Sequence, residues 1–151
     1  MRYTPAQVKE ALEITEETLR HWRKSLPPLK DKRGYSPCFS PGDLLALKVV
    51  ARLHALGISV SQLKLHAEKL FQACSRSAWF GLEDKVVVYD GQTLEMVVVG
   101  ADGHWSEVVR VAAPLGPLIR QLRQRLSEED SNPAQPEIAF PPLGVAQGRP
   151  Q

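Results

Sequence analysis

Residues 14–24 read ITEETLRHWRK, and this stretch decides the fold of the N-terminal half. Thr15 is a favourable helix N-cap residue, and Ile14 before it can pack on Leu19 at the fourth helical position as a hydrophobic staple. At about 100° per residue, Leu19 and Trp22 fall on one side of this helix. The other side carries groups that are charged or form hydrogen bonds: Glu17, Arg20, His21 and Lys24. A short helix with an anchored apolar face and such an outer face suits a DNA groove.

Signals for the start of a helix recur four times in the first 74 residues. A capping residue stands three positions before Gln, Thr or Asp in the segments TPAQ (4–7), TEET (15–18), SPGD (40–43) and SVSQ (59–62). Each cap follows an apolar residue, and each fourth helical position is apolar as well. Pro27-Pro28 and Gly57 mark helix ends. The pattern predicts helices near residues 5–12, 16–25, 41–56 and 60–74.

The connections between these helices differ in length and character. About two residues separate the first helix from the second, so the pair must turn sharply as in a helix-turn-helix. The segment LPPLKDKRGYSPCFS (26–40) joins the second helix to the third, and it is basic and punctuated by Pro and Gly. It is long enough to form a small hairpin or wing.

The pattern changes to period two after Ser75. Runs rich in β-branched residues occur at 85–89 (KVVVY), 93–99 (TLEMVVV) and 104–111 (HWSEVVRV), with Asp-Gly pairs at 90–91 and 102–103 in hairpin-turn positions. They predict a three-stranded antiparallel meander. The following PLGPLIRQLRQRLSEE (114–129) predicts an amphipathic helix that covers this sheet, because a small sheet alone is marginal. From Ser131 the chain is rich in proline and has no periodicity.

The predicted architecture is α+β with two units and a tail. Residues 1–74 form a four-helix winged helix-turn-helix domain, and residues 75–128 form the small meander with a C-terminal helix. Residues 129–151 form a disordered, proline-rich tail.

Charge is distributed unevenly along the chain. The formal net charge of the 151 residues is +2, but residues 1–70 hold 12 Lys and Arg against 7 Asp and Glu. Residues 71–151 hold 7 against 10. Six of the cations lie within residues 20–33, and such a cluster can track a phosphate backbone.

Neither the N-terminus nor the apolar runs indicate export or a membrane. The N-terminus MRYTPAQ lacks the apolar core of a signal peptide, and no run approaches the roughly 20 apolar residues of a membrane span. We therefore expect a cytoplasmic protein without a membrane partner. Cys38 and Cys74 are far apart and form no C-x-x-C pair, which favours separate thiols over a disulfide scaffold.

Sequence motifs for catalysis or metal binding are absent from the chain. The four histidines have no H-E-x-x-H or H-x-x-x-H spacing, and His66-Ala67-Glu68 lacks the P-C-x-x-C that a zinc deaminase also needs. No P-loop, G-x-G-x-x-G or G-x-S-x-G segment occurs. We therefore expect no enzyme, no catalytic residues, no metal site and no cofactor.

Several segments of the N-terminal half occur in a family-specific order. They are TLRHW (18–22), a basic Pro-containing loop ending in Gly34-Tyr35, FSPGDL (39–44) and LGIS (56–59). Over roughly residues 2–70, this order resembles the winged-helix DNA-binding domain of MerR-type regulators. The resemblance implies that the second helix is a recognition helix in the major groove. It places Arg20 on DNA, His21 where the family often has a phosphate-binding Tyr, and Gly34-Tyr35 in the wing.

The chain departs from this family in two places. Ser36 follows Gly34-Tyr35 where the family usually has Arg, so Lys30, Lys32 and Arg33 are expected to supply the wing contacts. The segment SRSAWFG (75–81) interrupts the fourth helix, where family regulators typically continue into a long antiparallel coiled coil. The usual dimer of the family is therefore not implied.

The leading hypothesis is a sequence-specific transcription regulator of bacterial or phage type. It would bind double-stranded DNA as a homodimer through residues 75–128, since a single module rarely supplies enough specificity. The expected DNA-binding residues are Thr15, Glu17, Thr18, Arg20, His21, Arg23, Lys24, Lys30, Lys32, Arg33 and Tyr35.

Two alternatives remain open at this point. One is an excisionase-like architectural protein that bends DNA and binds cooperatively as separate copies. The other is a protein-interaction module, such as an antirepressor or adaptor, in which the sheet edge and the last helix bind a protein partner.

Overall fold

The structure, a computed structural model, describes residues 1–98 and 109–130. Its first two helices, α1 (Pro5–Leu12) and α2 (Glu16–Ser25), begin and end where the caps predict. Between them, Glu13 adopts the left-handed conformation, with φ 56° and ψ 46°. The chain therefore reverses within a few residues, and the two helices form a helix-turn-helix.

A capping box starts the third helix and fixes the end of the preceding loop. The helix α3 spans Pro41–Ala55, and Ser40 and Asp43 each accept a backbone N–H from the other, at 3.0 and 2.9 Å. Before it, a 3₁₀ turn at Pro27–Leu29 leads into an irregular segment, residues 30–38, which we call the wing loop. The structure shows no strand pair within this loop, and an isolated bridge joins Tyr3 to Phe39 at its end.

The fourth predicted helix is interrupted, so the prediction of one helix over 60–74 is wrong. The structure has α4 (Val60–Leu63), a 3₁₀ turn at Lys64–His66 and then α5 (Ala67–Ser75). The break separates a short turn that contacts α2 and α3 from a helix that packs along α3 and against β2. Because the buried positions keep helical spacing through the break, periodicity alone could not reveal it.

Within the described residues three antiparallel strands follow, but their order is not that of a meander. They are β1 (Lys85–Tyr89), β2 (Leu94–Val98) and β3 (Val111–Pro114), in the order β2-β1-β3. The central strand β1 holds the fully buried Val87, which lies opposite Met96 on β2 and Ala113 on β3. The second Asp-Gly pair and most of the predicted strand 104–111 lie outside the described residues.

The predicted hairpin between β1 and β2 is present. Gly91 has a φ of 96°, which favours glycine, and the Asp90 carboxylate accepts the backbone N–H groups of Thr93 and Gln92 at 2.7 and 2.8 Å. These two hydrogen bonds, with that of Thr93 the larger cause, lower the pKa of Asp90 from its ordinary value. The turn is therefore held by its own side chain.

The last helix packs on both halves of the chain. It is α6 (Leu115–Asp130), and its predicted apolar stripe is buried at Leu115, Leu118, Ile119 and Leu122. It contacts β1, as expected, and also α1 and α3. One continuous cluster of buried residues includes members from both sides of residue 74, so the division into two domains stays a prediction. In the part of the chain that the structure describes, no helix has the length and apolar character needed to cross a bilayer.

Candidate nucleic-acid interface

An open groove of about 490 Å³ lies between α2 and the wing loop. It is lined mainly by cations and by the apolar base of the helix. The lining residues are Glu16, Leu19, Arg20, Arg23, Lys24, Leu29, Lys30, Lys32, Arg33, Gly34 and Tyr35. The structure thus brings together seven of the eleven residues that the sequence predicted for DNA binding.

The helix α2 is anchored by its apolar face. Leu19 and Trp22 are each only 2% exposed, and the Trp22 ring meets the His54 ring edge-on at 6.4 Å between centroids. Arg20 and Lys24 on the opposite side are exposed. No hydrogen bond or ion pair to another described residue holds either cation. Both side chains are therefore free to bind a ligand of opposite charge.

The remaining predicted residues of α2 lie at its start or face a second groove. Thr15 caps the helix by accepting the backbone N–H of Thr18 at 3.1 Å, so its role in the free protein is structural. A groove of about 430 Å³ separates α2 from the start of α4. It is lined by Glu17, Thr18, His21, Trp22, His54, Ser59, Val60 and Ser61.

The half-buried Arg23 side chain is held by atoms of the wing loop. Its Nε donates to the Lys32 carbonyl oxygen at 2.7 Å, and Nη1 donates to the Gly34 carbonyl oxygen at 3.2 Å. The guanidinium also lies over the buried Phe39 ring, 5.6 Å from its centroid, which is within cation–π range. Arg23 thus joins α2 to the wing loop.

Lys32 is likewise engaged with the protein's own atoms. Its Nζ lies 3.1 Å from Asp43 Oδ2 and donates to the Cys38 carbonyl oxygen at 3.1 Å. The same Asp43 carboxylate belongs to the capping box of α3. Lys32 therefore ties the wing loop to the start of α3.

The other predicted residues of the wing loop are exposed. Lys30 and Arg33 are open to solvent, with one hydrogen bond from Arg33 Nε to the Lys30 carbonyl oxygen at 3.2 Å. Tyr35 is 85% exposed. Arg20, Lys24, Lys30 and Arg33 consequently form a set of four exposed cations around one groove, which we call the groove cations.

Sequence reasoning missed the residues that face α2 from α3 and α4. His54, Ser59 and Ser61 line the second groove together with His21. Ser59 was identified only as a helix cap, and nothing in its local sequence signals that α4 starts beside α2. Among residues 1–98 and 109–130, no cluster of three metal-binding side chains occurs.

These features define the N-terminal part as a winged helix-turn-helix region, with the second helix anchored and a cationic loop beside it. Residues 3–70 match the family model described as "MerR HTH family regulatory protein". The N-terminal part is therefore a helix-turn-helix region of the MerR type, which confirms the resemblance. The match supports a DNA-binding transcription regulator. A comparison with curated proteins found no match.

Proposed function

We propose that the protein is a sequence-specific regulator that reads double-stranded DNA with the outer face of α2. The observation that carries the proposal is that Arg20 and Lys24 are exposed and form no hydrogen bond or ion pair with a described residue, on a helix whose opposite face is buried. Arg20 is the candidate for base contact, because a guanidinium can bind the O6 and N7 of guanine in a bidentate manner. The groove cations Lys24, Lys30 and Arg33 neutralise phosphates.

Glu17, Thr18 and His21 extend the proposed contact surface along α2. A Glu can accept from the N4 amino group of cytosine, and a Thr can contact either kind of base. His21 faces the second groove beside Ser61, whose hydroxyl can donate to a phosphate oxygen. In this proposal Thr15, Arg23 and Lys32 support the surface through their contacts within the protein.

We further propose that two copies bind together through residues 75–128. The strand β2 is at an edge of the sheet, and its Val97 and Val98 are 43% and 42% exposed. An edge strand with exposed apolar residues favours association with another chain. Size-exclusion chromatography with light scattering tests this step. A monomer at all working concentrations, with footprints that spread along direct repeats, would favour the excisionase-like alternative instead.

The experiment for the main proposal is selection of bound sequences from a random DNA library. The unchanged protein should enrich one motif. Arg20→Ala should lose the preference at one base position, a loss of roughly 1–3 kcal/mol in discrimination, while keeping weaker general binding. Arg120→Ala is a matched control, because Arg120 is exposed on α6 and does not line the groove. Enrichment of no motif by the unchanged protein, or of the same motif by Arg20→Ala, would contradict the assignment.

A further inference from the structure

Two further cations line the groove, and their charged groups bind atoms of the protein itself. This distinguishes them from the four groove cations. Arg23 uses its guanidinium on the carbonyl oxygens of Lys32 and Gly34, and Lys32 uses its ammonium on Asp43 and Cys38. Both side chains are therefore attached to the protein's own atoms before any DNA binds. This attachment can give them a role other than phosphate binding.

The contacts attach the wing loop to two neighbouring helices, α2 and α3. Arg23 holds the middle of the loop against α2, and Lys32 holds it against the start of α3. Gly34 has a φ of 79°, so its backbone takes a conformation that favours glycine while its carbonyl oxygen accepts from Arg23. Arg33 lies between the two carbonyl groups that Arg23 binds, and Lys30 lies two residues before the first of them. Both side chains are exposed.

We infer that Arg23 is a positioning residue for DNA binding, which fixes the wing loop so that Lys30 and Arg33 face the same groove as Arg20 and Lys24. The inference rests on the proposed function. Its physical basis is the guanidinium, whose N–H groups form a rigid fork that reaches two carbonyl oxygens at once. An ammonium at this position is a point donor on a flexible stem and does not reproduce the fork.

The geometry also explains how a wing can work here without strands. A loop that no strand pair stiffens loses conformational freedom when it binds DNA, and that loss weakens binding. The contacts of Arg23 order the loop in the free protein. The loop therefore loses its conformational entropy during folding and not on binding DNA, and its cations are already in place.

The first test uses the free protein, without DNA. Backbone ¹⁵N order parameters for residues 31–36 should be near those of rigid backbone, about 0.85, in the unchanged protein and fall below about 0.6 in Arg23→Met. Methionine keeps the apolar packing over Phe39, so the thermal midpoint should change little. Arg20→Met is the matched control on the same helix, and its loop should stay rigid. A loop that is equally rigid in Arg23→Met overturns the inference.

The second test is a double-mutant cycle on the motif selected above. Arg23→Met should weaken binding about tenfold in the unchanged protein and have almost no effect when Lys30→Gln and Arg33→Gln are already present. Arg23→Lys, which keeps the charge, should behave like Arg23→Met. A direct phosphate contact by Arg23 predicts the opposite in each case. Arg23→Met would then weaken binding equally with and without Lys30→Gln and Arg33→Gln, and Arg23→Lys would keep the affinity of the unchanged protein.

These outcomes separate the inference from the proposed function. An unchanged protein that selects no DNA motif refutes the proposed function and removes the basis of the inference, whatever the order parameters show. Motif binding that depends on Arg20 but is unaffected by Arg23→Met, or weakened equally in both backgrounds, refutes only the inference.

Discussion

Lys30 and Arg33 are two of the four exposed groove cations, and their contribution to DNA binding can be calculated. Binding that neutralises phosphates releases condensed counterions, so the logarithm of the affinity falls linearly with the logarithm of the salt concentration. Each neutralised phosphate adds about 0.9 to the slope for double-stranded DNA. Lys30→Gln with Arg33→Gln should therefore lower the slope by about 1.8 for each protomer that is bound.

The magnitude is large enough to measure directly. Between about 50 and 200 mM salt, the affinity of the unchanged protein should fall about 12-fold further than that of the variant for one bound protomer. Two bound protomers double the change in slope to about 3.6, which is about 150-fold over the same range. The experiment thus also reports the number of wing loops on the DNA.

The assay is fluorescence anisotropy with a labelled duplex that contains the selected motif, titrated at several salt concentrations. The matched control is Lys69→Gln with Arg120→Gln, which removes two exposed cations on α5 and α6 that do not line the groove. The control should keep the slope of the unchanged protein. If the wing-loop variant keeps that slope as well, Lys30 and Arg33 do not contact phosphates and the proposed interface is wrong.

Three further predictions concern the protein without DNA. Gly42→Ala should lower the free energy of unfolding by about 1–3 kcal/mol in urea titrations, because the added Cβ would clash with Ser75 Oγ and lie 2.7 Å from Ser75 Cα. An unchanged urea midpoint would contradict the close approach of α3 and α5. Burial lowers the pKa of Lys48 from its ordinary value of 10.5. Between the lowered pKa and 10.5, Lys48 binds more protons in the unfolded chain than in the folded one, so its contribution makes the free energy of unfolding rise with pH. Lys48→Met should raise the unfolding free energy at pH 7 by about 1 kcal/mol and flatten that rise, whereas a lower melting temperature would show that the charge is needed. Burial also raises the pKa of Cys74 to about 12, so a thiol reagent at mildly alkaline pH should label Cys38 alone in the folded protein and both cysteines after unfolding.

The sequence predicted those features of the fold that depend on neighbouring residues. The caps at Thr4, Thr15 and Ser40 gave the starts of α1, α2 and α3, because a side chain that accepts a backbone N–H three residues later is visible in the sequence. The stripe of α6 and the turn at Asp90 were found in the same way. The break at Lys64–His66 was missed, because the apolar spacing continues through it.

Features that depend on distant segments could not be predicted. The strand order puts β1 in the centre because β3 returns to it across the sheet, and no local pattern encodes that choice. The cluster of cations within residues 20–33 placed Arg23 among the expected DNA-binding residues. Its actual partners, the carbonyl oxygens of Lys32 and Gly34, belong to a loop whose path the sequence does not specify.

The packing of α6 on α1 and α3 has a consequence for synthesis of the chain. At roughly 5–20 residues per second, about 3–11 s pass between translation of Ser75 at the end of α5 and of Asp130 at the end of α6. During that interval the apolar faces of the nascent N-terminal half that α6 later covers are exposed to water. A translation product that stops near residue 75 is consequently a natural substrate for chaperones and proteases, although it holds the whole helix-turn-helix.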